Sequence, residues 1–299
     1  MGGVHIMKRA RLIYNPSSGR EEMRRLLPDV LDRLDLAGIE TSCHATTGKG
    51  DAMREAAKAV ERGYDIIIAA GGDGTLNEVV NGMAGFENLP PLGIFPMGTT
   101  NDFARAMGIS KRWEDYCDLV IENKTRPIDI GKVNGRHFIN IAGGGSFTEL
   151  TYEVPSKLKT MLGQLAYYMK GIEKVASLSP TELIIRAEGL GVLEGEFMLF
   201  LIANSNSVGG FEKLAPDARI DDGLLDVIAV RKCNLAEFIR LLTMALRGDH
   251  FSDPRVVYFK TRRMEVTSPG LVQLNLDGEL GGELPGVFEI LPSHLRIFA

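Results

Sequence analysis

The stretch that most restricts this chain is Tyr64 to Ala70, rich in isoleucine and alanine and continuously apolar from Ile66, which closes directly on Gly71-Gly72-Asp73-Gly74-Thr75-Leu76-Asn77. A continuous apolar run of this length suits a parallel strand covered on both faces. The residues that follow, Leu76 to Met83, have helical spacing. A glycine-rich turn between strand and helix presents backbone N–H groups at the positive end of the helix dipole, where phosphate is favoured. Without a Cβ, the glycines let backbone approach a ligand closely. Asp73 adds a carboxylate that can reach a magnesium ion bridging phosphates. The plainer alternative is a tight βα turn that uses glycine for geometry alone.

The segments around this run repeat its grammar. Arg9 to Tyr14, Ile39 to Ala45 and Leu92 to Phe95 read as strands. Glu22 to Leu36 carries Met23, Leu26, Leu27, Val30, Leu31 and Leu34 at helical spacing, and Asp51 to Arg62 is an alanine-rich helix opened by the Gly50-Asp51 turn. Strand and helix in alternation predict an open parallel sheet with helices on both sides, a three-layer α/β domain. Two more loops follow strands, Asn15-Pro16-Ser17-Ser18-Gly19 and Pro96-Met97-Gly98-Thr99-Thr100-Asn101-Asp102. In a parallel sheet all three loops lie on one edge, the edge where such sheets bind ligands. No loop is a Walker A sequence or a Gly-x-Gly-x-x-Gly dinucleotide fingerprint.

After Ile128 the pattern changes. Ile130 to Val133 and His137 to Ala142 flank Asn134-Gly135, a hairpin signal. Strand-like runs recur at Glu182 to Ala187, Glu196 to Asn204, Leu225 to Val230, Val256 to Lys260, Met264 to Thr267 and Val272 to Leu276. Helical spacing interrupts them near Ser156 to Val175 and Leu235 to Arg247, and a last strand-like stretch runs from His294 to Phe298. This half reads as an antiparallel β-sandwich. The expected domains are residues 7–130 with the tail 288–299, and residues 131–287; Met1 to Ile6 carry no structural pattern.

Composition sets outer bounds. Of 299 residues, 44% are hydrophobic and 24% charged, an ordinary globular balance. A net charge of -5 argues against a general nucleic-acid binder. Cys43, Cys117 and Cys233 are scattered without metal-ligand spacing, so neither a disulfide framework nor a zinc site is expected and a reducing compartment fits. The longest apolar runs, such as Phe197 to Ala203, are far shorter than the roughly 20 residues that span a bilayer, and no secretory signal opens the chain.

The loop at Gly71 to Asn77 and the segment Gly98-Thr99-Thr100-Asn101-Asp102-Phe103-Ala104-Arg105 resemble the diacylglycerol kinase catalytic-domain family, which also holds sphingosine and ceramide kinases. The first loop is shared with NAD kinases; the second segment is more particular to lipid kinases. The resemblance continues through Val208-Gly209-Gly210-Phe211, Asp217 to Asp226 and Leu276-Asp277-Gly278-Glu279, and the chain is most similar to the soluble Gram-positive bacterial members. It implies an α/β nucleotide domain, a β-sandwich, an active site in the cleft between them, a C-terminal tail returning to the first domain, and a homodimer.

The resemblance also implies residue roles. ATP is expected on Asn15, Pro16, Ser17, Ser18, Gly19, Thr46, Gly71, Gly72, Asp73, Gly74, Thr75, Leu76, Asn77 and Thr99. Thr46 reads equally as the N-cap of the alanine-rich helix. Phosphoryl transfer needs positioning, charge neutralisation and a group to take the hydroxyl proton. Glu279 is the candidate base, beside Asp73 as the second catalytic carboxylate; without the resemblance, Glu279 reads as the flank of an Asp-Gly turn that ends a strand. The family implies a structural Mg2+ on the Asp222 carboxylate and the carbonyls of Arg219 and Leu224, with Asp221 linked through water; the plainer reading is an acidic surface turn.

Lys157 to Lys174 mixes lysines with Leu158, Met161, Leu162, Leu165, Tyr167, Tyr168 and Met169, which suits either an interfacial helix on anionic lipid or a helix packed on the sandwich. Arg20, Arg24 and Arg25 extend the basic character of the first half. The expected activity is ATP-dependent phosphorylation of diacylglycerol by a cytoplasmic protein peripheral to the inner membrane face. The competing readings are another lipid-alcohol kinase of sphingoid type, an NAD kinase-like enzyme on a soluble substrate, and a non-catalytic nucleotide-binding regulator.

Overall fold

The computed structural model describes residues 7–110, 112–145, 179–206 and 213–299. Val208 to Phe211 and the basic segment Lys157 to Lys174 lie outside the described residues. The chain divides into two units, residues Met1–Ile128 with Ser293–Ala299, and Asp129–Pro292.

In the first unit, strands β1 (Lys8–Tyr14), β2 (Ile39–Ala45), β3 (Ile66–Gly71) and β4 (Leu92–Pro96) form a parallel sheet in the order β2-β1-β3-β4. The tail of β15 (Gly286–Phe298) adds a further parallel edge, with Ile297 opposite Leu92. Every residue of β3 is buried, as its unbroken apolar run demands. Alternate side chains separate the two faces. Ala10, Leu12, Ile66, Ile68 and Phe95 join a core with Met23, Val30 and Leu34 of α1 (Glu22–Leu36) and with Tyr116 and Val120 of α5 (Trp113–Glu122). Arg11, between two of those strand residues, points the other way and pairs with Glu55 of α2 (Asp51–Glu61) at 2.6 Å. Helices α3 (Asp73–Met83) and α4 (Asp102–Ala106) complete the unit; helix α3 starts three residues earlier than the spacing from Leu76 suggests, inside the glycine loop itself.

The second unit is antiparallel. The hairpin at Asn134-Gly135 forms with φ of 48° and 80°, joining β5 (Thr125–Val133) to β6 (Arg136–Phe138). The expected strand His137 to Ala142 is broken after Phe138, and β7 begins at Ile141 and runs to Gly145. The remaining strands are β8 (Thr181–Ala187), β9 (Gly191–Ala203), β10 (Leu225–Arg231), β11 (Val256–Thr261), β12 (Arg263–Thr267), β13 (Gln273–Leu276) and β14 (Glu279–Glu283). Strand β9 pairs with β8 over its first half, and its second half lies between β7 and β10. One long strand thereby serves two sets of neighbours, which is how a sandwich turns its corners. Helix α6 (Leu235–Arg247) matches its spacing and opens on a capping box between Asn234 and Glu237.

The core of this unit contains Phe138, Phe197, Phe200, Leu225, Val227, Met264, Leu274 and Phe288, with the Phe200 and Phe288 rings edge to face at 5.9 Å. Phe200→Ala should cost about 3–5 kcal/mol. Urea unfolding read by circular dichroism checks this as a fall in midpoint at unchanged slope.

Candidate active site

In the first unit, the strand register brings four loops to one edge. Tyr14 is opposite both Ala45 and Ala70, and Gly71 is opposite Pro96, so the four strands end at the same level. Backbone bonds tie the ends together: Asn15 N–H to Ala70 O at 3.0 Å, Thr46 N–H to Tyr14 O at 2.9 Å, and Met97 N–H to Gly71 O at 2.8 Å.

Within the loop after β1, Asn15 Oδ1 accepts the Ser17 N–H at 3.0 Å and its hydroxyl at 2.8 Å. In the loop after β4, Asn101 closes a ring on Gly98, accepting its N–H at 2.9 Å and donating to its carbonyl at 2.8 Å. The loops after β3 and β4 touch backbone to backbone: a Cβ on Gly98 would lie 2.5 Å from Gly72 Cα. Only glycine permits that approach. Asp73, in the first turn of α3, accepts a long bond from Phe103 N–H of α4 at 3.4 Å. Thr75, Leu76 and Asn77 are buried, while Gly74 and Thr99 are exposed.

Thr46 is not the cap of α2, whose N-cap is Gly50. Its own loop is instead held at both ends. Asp51 accepts the Thr47 N–H at 2.8 Å and hydroxyl at 2.9 Å and sits 3.1 Å from His44 Nε2. Glu78 of α3 accepts Gly50 N–H at 2.7 Å and Ala52 N–H at 3.1 Å, so a carboxylate satisfies the open end of α2. Sequence spacing pointed to neither residue, because their partners come from another element or across a turn.

In the second unit, Glu279 is the first residue of β14 and opens the return strand directly after the Asp-Gly turn, the flanking position its context suggested. The turn, Asp277-Gly278, has φ of 51° and 91°, and Gly278 N–H donates to Asn275 Oδ1 at 2.8 Å. The acidic loop lies elsewhere in this unit. Asp222 Oδ1 accepts Leu224 N–H at 3.0 Å, and its Oδ2 lies 3.2 Å from Lys260 Nζ. Lys260 also lies 3.3 Å from Asp226 Oδ2, and the Tyr258 hydroxyl donates to Asp226 Oδ1. Burial pushes the Asp226 carboxyl above the usual carboxylate range, against the pull of Tyr258 and Lys260. Arg219 uses its guanidinium on Asp221 at 3.2 Å.

The donors expected for magnesium are all hard oxygens, the Asp222 carboxylate and two carbonyls, and so fit that ion, which completes its shell with water. Lys260 already offsets part of the Asp222 charge. Lys260 was missed by sequence reading because it is remote in the chain.

The profile of the diacylglycerol kinase catalytic domain matches residues 9–133, and that of the YegS C-terminal NAD kinase β-sandwich-like domain matches residues 150–299. A diacylglycerol kinase of Bacillus subtilis is 58% identical over 97% of this chain and 96% of its own. One from Staphylococcus saprophyticus is 50% identical over 97% and 95%. The chain belongs to the diacylglycerol kinase family. It is therefore a lipid kinase of a family that uses ATP. The crystal structure of a diacylglycerol kinase from Bacillus anthracis has a TM-score of 0.80 at 28% identity, covering 97% of this chain and 96% of that one. An NAD kinase of Archaeoglobus fulgidus, 13% identical with a TM-score of 0.56 over 97% and 93% of the two chains, shares the fold. Among the described residues, no helix is long and apolar enough to cross a membrane.

The hydrogen bonds from Thr47, followed by the contact with His44, hold the Asp51 carboxyl well below the usual carboxylate range. A depressed carboxyl contributes stability that is complete above its unfolded pKa, about 4, and lost as pH falls toward its folded value. The gap in urea midpoint between wild type and Asp51→Asn should therefore be widest at about pH 7 and shrink toward about pH 3.

Proposed function

We propose that this enzyme transfers the γ-phosphoryl group of ATP to the free hydroxyl of diacylglycerol, giving phosphatidic acid. The observation that carries the substrate is identity of 58% over nearly the whole of a relative named for that activity. The first-unit loops support the nucleotide half of the reading. Asn15 to Gly19, Thr46, Gly71 to Asn77 and Thr99 supply backbone N–H groups, hydroxyls and a helix N-terminus at one sheet edge, and phosphate is held by such groups.

Glu279 of the second unit acts as general base. An alcohol is too weak an acid to ionise freely near neutrality, so a carboxylate takes its proton as the oxygen bonds to phosphorus and ADP leaves. Asp73 serves the phosphate side, at the head of α3. Mg2+, when bound, neutralises charge on phosphate oxygens or ties a loop by its oxygen shell. Arg219, Asp222 and Leu224 would hold the structural ion, with Asp221 behind a water. Association as a homodimer, supported by the family resemblance, and contact with anionic lipid at the cytoplasmic membrane face, supported by the mix of basic and apolar residues in the sequence from Lys157 to Lys174, complete the proposal.

Transfer of labelled phosphate from ATP to extracted lipid tests the function. Diacylglycerol should be labelled, whereas a sphingoid base or NAD offered in parallel should not; label on NAD alone would reject a lipid substrate. Glu279→Gln keeps the shape and removes the base. Its turnover should fall by about 10²–10⁴-fold, with the KM for ATP little changed. Wild-type turnover in that variant would move the proton acceptor elsewhere.

A further inference from the structure

Two residues before Glu279, Asp277 carries an unusual load of backbone bonds. Its Oδ2 accepts Ile139 N–H at 2.8 Å, and its Oδ1 accepts both Asn140 N–H and Ile141 N–H at 2.9 Å. Its own N–H donates to Ile141 O at 2.9 Å. The N–H groups of Ile139 and Asn140 lie in the break between β6 and β7, and that of Ile141 opens β7, so a side chain supplies partners where the strand is interrupted. Asp277 holds φ 51°, a conformation that asparagine and aspartate tolerate best among residues with a Cβ. The turn that presents Glu279 is thus fastened to its neighbour by a side chain as well as by the β13–β14 ladder.

The fastening continues inward. Asn204 N–H donates to Asn140 O at 2.8 Å, and the Ser205 hydroxyl donates to Asn140 Oδ1 at 2.9 Å. Asn204 Nδ2 donates to Ile139 O at 2.9 Å and to Asp129 O at 3.0 Å. Asp129 N–H in turn donates to Ile220 O at 2.7 Å, and its Oδ2 accepts Gly223 N–H at 2.7 Å. Asn140, Asn204, Ser205 and Asp129 are all buried. Asn204 Oδ1 has no partner among the described residues. A buried polar chain with an orphaned acceptor is less stabilising than an apolar filling, and its effect is to define one arrangement. Here the chain of bonds joins the Glu279 turn to the loop that carries Asp222.

We propose that Asp277 is a positioning residue for the phosphoryl transfer. It sets the backbone from which Glu279 works and, through Asn140, Asn204 and Asp129, makes that turn and the Asp222 loop move as one body. The inference rests on Glu279 being the base.

The test is Asp277→Asn, alone and combined with Glu279→Gln. Asparagine keeps the left-handed turn but sets an amide N–H2 against a backbone N–H. The single variant should lose at least about 10-fold in kcat, with the KM for ATP within about two-fold. In the Glu279→Gln background the same change should add little, because it acts through a group already removed. Backbone hydrogen exchange should quicken in two peptides, 137–145 and 218–226. Ser205→Ala, a milder cut in the same chain, should lower kcat roughly three-fold and quicken both peptides less.

An unchanged kcat in Asp277→Asn, or an equal loss in both backgrounds, overturns the positioning role. Exchange that quickens in the first peptide alone overturns the link to the Asp222 loop. Retained turnover in Glu279→Gln would instead remove the base, and the inference with it.

Discussion

The first unit depends on burial of β3 from both faces. A strand whose every residue is hidden must have strands at its two edges and helices above and below, since its backbone groups need partners and its side chains need cover. Parallel neighbours follow from the helical connections, and parallel strands end together. The loops that leave them, at Asn15, Thr46, Gly71 and Pro96, are therefore neighbours by construction. The contact of Gly98 with Gly72 then decides how close two of those loops come.

The second unit solves a different problem. Its apolar core, with Phe197, Phe200 and Phe288 at the centre, holds the antiparallel strands by area and shape. Area and shape do not select one orientation for a turn at the rim. Polar side chains do that, because a buried hydrogen bond has direction and a lost partner is costly. Asp277 fastens the turn before Glu279, Asp129 fastens the loop before Leu224, and Lys260 bridges Asp222 and Asp226. The residues of chemical interest thus stand on short polar struts over an apolar floor.

Legibility in the sequence followed the range of the deciding force. Helix α1 and helix α6 were readable to the residue, because a 3.6-residue apolar period is a local property. The Asn134-Gly135 hairpin was readable because two left-handed residues suffice to turn the chain. Helix α3 starts earlier than its apolar spacing indicates, since Asp73 and Gly74 have poor intrinsic helix propensity and lie ahead of the apolar period. The break at Ile139 and Asn140 was hidden, because its cause is Asp277, far along the chain.

By itself, then, the sequence determined the fold class, the three strand-end loops and the resemblance to a lipid kinase family, all of which rest on local periodicity, glycine placement and short motifs. Tertiary structure alone decided that Asp51 and Glu78 pin the Thr46 loop, that Lys260 faces Asp222, and that Asp277 stands behind Glu279. Each of these is a bond between groups on different elements or across a turn. A one-dimensional pattern records which groups could bond; only the folded chain brings donor and acceptor within 3 Å or so of each other.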